Sequence, residues 1–87
     1  MAYANDSIIS RIAWCQRQRE QARGEFEREA WHAEEEGLRD ALLNRSHANQ
    51  YECCPSGLLE RYQMGLQDGL TLIRAAAVAQ YSGTFSH

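Results

Sequence analysis

Glu29 and His32 stand three residues apart in the run Glu29-Ala30-Trp31-His32, a spacing that brings a carboxylate and an imidazole onto one helix face. Pairs of such Glu-x-x-His segments hold two metal ions inside some four-helix bundles. Glu25 and Glu36 share that face, and a chain folded back on itself would bring Asp68 beside His32. A metal site of Glu29, His32 and Asp68 is therefore the sharpest chemical alternative. Against it, the second half of the chain has no Glu-x-x-His and few acids, and a Glu-rich helix matches so short a motif by chance. The favoured reading is a surface histidine in a charged face, with no metal and no cofactor.

His47, Cys53 and Cys54 offer soft ligands, with His32 or Cys15 as a fourth. Adjacent cysteines chelate one ion awkwardly, and the Cys-x-x-Cys spacing is missing. Cys15 is expected in the core and the vicinal pair at the start of a helix. There a depressed thiol pKa would make Cys54 a redox alternative. Neither a Gly-x-Ser-x-Gly nucleophile turn nor a phosphate-binding glycine loop occurs, so no catalytic residue is assigned and the chain reads as non-enzymatic.

The net charge of −3 hides a gradient. Residues 1–24 sum to +2 through Arg11, Arg17, Arg19 and Arg23, whereas residues 25–40 sum to −5. A DNA-binding regulator using those four arginines is an alternative, disfavoured because the adjoining acidic run repels phosphate. The acidic run reads as a solvated face or as a docking surface for a partner with a basic surface. All nine cations are arginine, which a GC-rich genome explains and which suggests a bacterial or bacteriophage chain. No apolar run reaches a membrane span and no signal-peptide pattern opens the sequence, so the cytoplasm is expected.

The elements that would position these groups are helical. Asn5, Asp6 and Ser7 are candidate N-caps, and Ile8, Ile12, Cys15, Arg19, Ala22, Phe26, Ala30, Ala33, Gly37 and Ala41 recur at spacings of three or four. That stripe predicts one helix over residues 7–43, with Gly24 its weak point. Residues 44–54 read as a connection, and Pro55, the only proline, as the first position of a second helix over 55–81. Gly83 is a plausible stop before a short tail at 82–87.

The expected fold is all-α: a long antiparallel hairpin of one domain, with residue 32 near residue 67. Its packing faces carry Phe26, Ala30, Ala33 and Gly37 on one helix, and Gly65, Gly69 and Ile73 on the other. Two helices leave Trp14, Trp31, Leu42, Leu58 and Leu72 uncovered, so a homodimeric four-helix bundle is expected to complete the core. The function class that follows is a self-associating module that binds another protein through Arg19, Arg23, Glu27, Trp31, Glu34, Glu35 and Tyr62. A narrower version is a small phage or mobile-element inhibitor that covers a host factor in the bacterial cytoplasm.

Overall fold

The computed structural model describes residues 3–53 and 56–85, with side chains over 7–53 and 57–78. Helix α1 spans Tyr3–Gln21, α2 spans Glu25–Leu43 and α3 spans Ser56–Phe85, with a 3₁₀ turn at Ala48–Tyr51 between the last two. Every regular element among the described residues is helical. Cys54, Pro55, Ser86 and His87 lie outside the described residues, as does the expected helix start at Pro55. Helix α3 continues past Gly83, because one glycine weakens a helix by about 1 kcal/mol without ending it.

The expected continuous helix over 7–43 is two helices. Gly24 takes φ −115° and ψ 158°, an extended conformation, and acts as the N-cap of α2. The backbone N–H of Arg23 donates to Glu27 Oε2 at 3.1 Å, much as a capping box does. Glu25 and Glu27 also place negative charge at the positive end of the α2 dipole. The break allows α1 to fold back antiparallel on α2, bringing Cys15 beside Glu34 and Gln16 beside Glu35. Ile8, Ile12, Cys15 and Leu38 form one core cluster, with Trp14, Trp31, Leu42, Leu72 and Ile73 packed against it. Burying such side chains at about 1.5–3 kcal/mol each outweighs the few residues of helix given up at the break.

Helices α2 and α3 run parallel, which replaces the expected antiparallel hairpin. Residue numbers rise together along the seam: Phe26 meets Gly57, Glu34 meets Gly65, and Ala41 meets Gly69. Glycines make this approach possible. A Cβ at Gly65 would overlap the Glu34 carbonyl oxygen, and one at Gly37 would overlap the Tyr62 carbonyl oxygen. Ala30, Ala33, Tyr51, Leu58 and Tyr62 form the second core cluster along this seam. Phe26, expected to pack, is about half exposed at 52% and lays its ring edge over Gly57.

The parallel direction requires the connection to travel back along α2. Helix α2 ends on Asn44 in the left-handed region, φ 55° and ψ 50°, and Arg45 N–H donates to the Asp40 carbonyl at 2.9 Å. That is a Schellman-type stop, with asparagine in glycine's usual place. The returning strand of chain is then pinned to α2 at His47 and Tyr51, as described below. Of the side chains that suggested a second copy, Trp14, Trp31, Leu42 and Leu72 pack in the cluster that α1 forms with α2 and α3, and Leu58 packs in the α2–α3 seam, so all five are wholly or partly covered within one chain.

Candidate functional site

The acidic stretch of α2 is split: Glu25, Glu27 and Glu29 are exposed, and the later acids are turned inward. Glu34 is 3% exposed, Glu35 5% and Asp40 0%, so none of them forms the expected solvated or docking face. A buried carboxylate persists only when it is paired, and each has arginine above it. Glu34 accepts from Arg61 Nε at 3.0 Å, has Arg11 Nη2 at 3.8 Å, and lies 3.7 Å from the Cys15 thiol. Glu35 takes Arg39 Nη2 at 2.7 Å and the Gln16 amide at 3.2 Å. Its other oxygen is buried without an aligned hydrogen bond, although Arg19 Nη1 approaches to 3.3 Å. Glu36 accepts from the Tyr51 hydroxyl. Successive helix positions are about 100° apart, so three adjacent glutamates hold three different parts of the molecule.

Asp40 anchors the connection. It accepts from the Tyr62 hydroxyl at 2.6 Å, His47 Nδ1 at 2.8 Å and Arg45 Nε at 3.1 Å. The Tyr62 oxygen in turn accepts the His47 backbone N–H at 2.7 Å, and its ring stacks on Tyr51 with centroids 5.0 Å apart. Burial pushes the Asp40 carboxyl up, but the hydrogen bonds from Tyr62, His47 and Arg45 outweigh it and hold the group below its ordinary value. Burial and then the bond to Asp40 push Tyr62 up. Burial, followed by the charge of Glu34, pushes the Cys15 thiol up to about 12, so that sulfur is a core atom and no nucleophile.

On the other side of α2, Arg11 lies 4.4 Å over the Trp14 ring and Arg61 lies 4.3 Å over the Trp31 ring. The two indoles meet edge to face at 5.0 Å. Both arginines also serve Glu34, so this assembly binds α1, α2 and α3 together.

A groove lies open between the first half of α1 and the last turns of α2. It has a volume of about 410 Å³, with Ile9, Ile12, Ala13 and Gln16 on one side and Arg39, Leu42, Leu43 and Arg45 on the other. Ile12 and Leu42 belong to its floor, whereas Ile9 and Leu43 stand at the mouth, each 55% exposed. Gln16, Arg39 and Arg45 also line a polar cleft of about 300 Å³ that continues towards Arg19 and His32. The groove and the cleft thus adjoin: Arg39 and Arg45 edge the apolar groove, and the cleft beyond carries Arg19, Arg39 and Arg45 beside the carboxylates of Glu35, Glu36 and Asp40.

The residues expected to bind a partner are not brought together. Glu34, Glu35 and Tyr62 are buried. Arg19 is committed to Glu35 and to His32 Nδ1, which lies 2.8 Å from its Nη1. Trp31 is sandwiched between Trp14 and Arg61, while Arg23 and Glu27 cap α2 on an exposed corner. Ala30, Ala33, Gly37, Gly65 and Gly69 lie in the α2–α3 seam, and Ile73 packs on the α1 cluster. For the metal alternative, Glu29 is exposed, His32 is taken by Arg19 and Asp68 pairs with Arg11 at 3.6 Å. Among the described residues no group of three His, Cys, Asp or Glu is placed to hold a metal ion. Of the four arginines of the DNA-binding alternative, Arg11 and Arg19 are spent on buried glutamates.

Sequence reasoning missed the groove. Its signal was two adjacent apolar pairs, Ile8-Ile9 and Leu42-Leu43. Neighbours 100° apart cannot both face one core, so one member of each pair turns outward, and the fold of α1 onto α2 puts the two outward members at the same end. Among the described residues, no helix is long and apolar enough to cross a membrane. No family model, curated protein or solved structure matches the chain.

Proposed function

We propose that this chain acts by binding another protein, as a non-enzymatic three-helix module whose docking surface is the α1–α2 groove. The carrying observation is that Ile9 and Leu43, each 55% exposed, flank a recess whose floor is apolar. Large apolar side chains gathered at one recess mark binding surfaces, whereas single ones scattered over a protein do not. Phe26, Met64 and Val78 are also more than half exposed, but none of them lines this recess.

Self-association belongs to the proposal in a reduced form. The side chains that suggested a second copy pack within the chain, so any homodimer would be weak and would contain six helices rather than four. The narrower reading, a phage-encoded inhibitor presenting an acidic face to a host factor, loses Glu34 and Glu35 from that face and keeps only its general form.

The test compares wild-type protein with Leu43→Glu as bait in a bacterial lysate, with light scattering of each bait alone. Leu43 is exposed, so the variant should melt as the wild type does. The proposal expects a saturable partner, or a second copy, that the variant loses. Binding that ignores Leu43, or no binding at all, refutes it.

A further inference from the structure

We propose that the occupant of the α1–α2 groove is an acidic amphipathic helix of a partner protein, a reading that rests on the groove being the docking surface. The first ground is charge layering. Beneath the rim lie Glu35 and Asp40, buried. Above them Arg39 Nη2 pairs with Glu35 at 2.7 Å and Arg45 donates Nε to Asp40 at 3.1 Å. Each guanidinium has five N–H donors, so most remain turned to the surface. The buried carboxylates hold the arginines in place from below, and an arginine already held loses less freedom when it meets a partner carboxylate. The acidic segment of the sequence thus presents guanidinium outward, and complementarity calls for a partner with carboxylates, opposite to the basic surface expected from the sequence.

The second ground is the shape and mixed chemistry of the groove and the adjoining cleft. From Ile9 to Arg19 they follow α1 for about ten residues, or about 15 Å at 1.5 Å per residue, which is the length of roughly three turns of a docked helix. Apolar walls edged by the half-exposed guanidinium groups of Arg39 and Arg45 match a helix with apolar residues on one stripe and acids beside it. A nucleic acid has no use for Ile9, Ile12, Leu42 and Leu43. A flat bilayer cannot reach a recessed floor. Two copies meeting symmetrically here would set Arg39 and Arg45 near their own counterparts, which repel. The chain's own net charge of −3 opposes acidic partners at long range, so the preference is made by contact rather than by steering.

The probe is a set of three synthetic helical peptides of about fourteen residues. All carry leucines at i, i+3, i+4 and i+7, and they differ only in whether the flanking positions are Glu, Gln or Lys. Binding to the full chain is read by calorimetry. Two exposed rim pairs give the Glu peptide roughly a threefold to tenfold advantage over Gln, with the Lys peptide weaker still. Leu43→Glu and Ile9→Glu should each remove Glu-peptide binding while the thermal melt stays in place.

Equal affinities for the three peptides, preference for Lys, or Glu binding indifferent to both variants would overturn the inference. So would Leu43-dependent attachment to anionic phospholipid vesicles, or a Leu43-dependent dimer, with no peptide bound. If lysate capture depends on Leu43 while the peptides show no acidic preference, the docking surface stands and the acidic occupant falls. If neither depends on Leu43, both fall.

Discussion

Gly65→Ala is the change that tests the parallel α2–α3 seam most directly. On an exposed helix face it would stabilise the chain by about 1 kcal/mol, since alanine is the better helix former. Here the new Cβ would overlap the Glu34 carbonyl oxygen and stand 2.8 Å from its carbon and 3.0 Å from the Glu34 Cα. All of these are backbone atoms, so no side-chain rotation relieves the overlap and the helices must separate by about 1 Å. A gap of 0.5–1 Å forfeits roughly a quarter to a half of each contact across it, and overpacked cores lose about 1–3 kcal/mol or more. Ala30, Ala33 and Tyr62 all lie along this seam, so the upper part of that range applies. After the helix-propensity gain, a net loss of about 2–3 kcal/mol is expected. A domain of this size has roughly 4–13 kcal/mol in total and a urea dependence near 1 kcal/mol per molar, so the urea midpoint should fall by about 2–3 M. Gly57→Ala is the control, because its Cβ would meet only the end of the half-exposed Phe26 ring at 2.8 Å. It should be neutral or slightly stabilising. A Gly65→Ala protein melting at or above the wild type would mean that α2 and α3 do not touch there.

Two further perturbations address the interior. Asp40→Asn removes a buried charge while three donors still point at it, at a cost of about 1–3 kcal/mol, because Arg45 is 55% exposed and stays solvated. Because the folded carboxyl titrates below its ordinary value, the unfolded chain takes up the proton first. Asp40 therefore contributes stability above about pH 4–5 that is lost as pH falls through the folded pKa. Chemical melts at pH 6, 4 and 3 should show that acid loss in the wild type and a smaller one in Asp40→Asn; identical acid slopes would contradict the network. For the thiols, a Cys15 pKa pushed up to about 12 cuts its thiolate fraction about a thousandfold relative to an ordinary cysteine. Native alkylation followed by peptide mapping should label exposed Cys53 long before Cys15, and equal rates would place Cys15 outside the core.

Helix content and the close-packing small residues were legible, because periodicity and the cost of glycine are local properties. The direction of α3 was not. A stripe on one helix and a glycine face on another are compatible with either direction, and the choice lies in residues 44–55. Those are long enough to return along α2, and His47 and Tyr51 are placed to bond it when they do. Gly24 was recognised as a weak point, but the stripe runs on in phase from Ala22 to Phe26 and so concealed a reversal. The acidic run misled for a different reason. Whether a glutamate is solvated or buried depends on whether an arginine arrives from elsewhere, and Arg11, Arg19 and Arg61 are distant in sequence from Glu34 and Glu35. One local clue existed. Glu34, Glu35 and Glu36 sweep about 200° of helix between Ala33 and Gly37, both stripe residues, so at least one had to border the core.

The arginine bias acquires a physical reading that base composition does not supply. Arg61 donates Nε to Glu34 at 3.0 Å while its guanidinium carbon lies 4.3 Å over Trp31, and Arg11 approaches Glu34 while lying over Trp14. A planar cation can offer its edge to a carboxylate and its face to an indole together, whereas an ammonium group must choose one direction. Arg39 and Arg45 likewise grip a buried carboxylate on one edge and keep other donors at the surface. A lysine at any of these four positions would preserve net charge yet give up one of its two contacts. The carboxylates of α2 stay in the interior because their partners can face two ways, and that same property leaves donors along the rim of the groove.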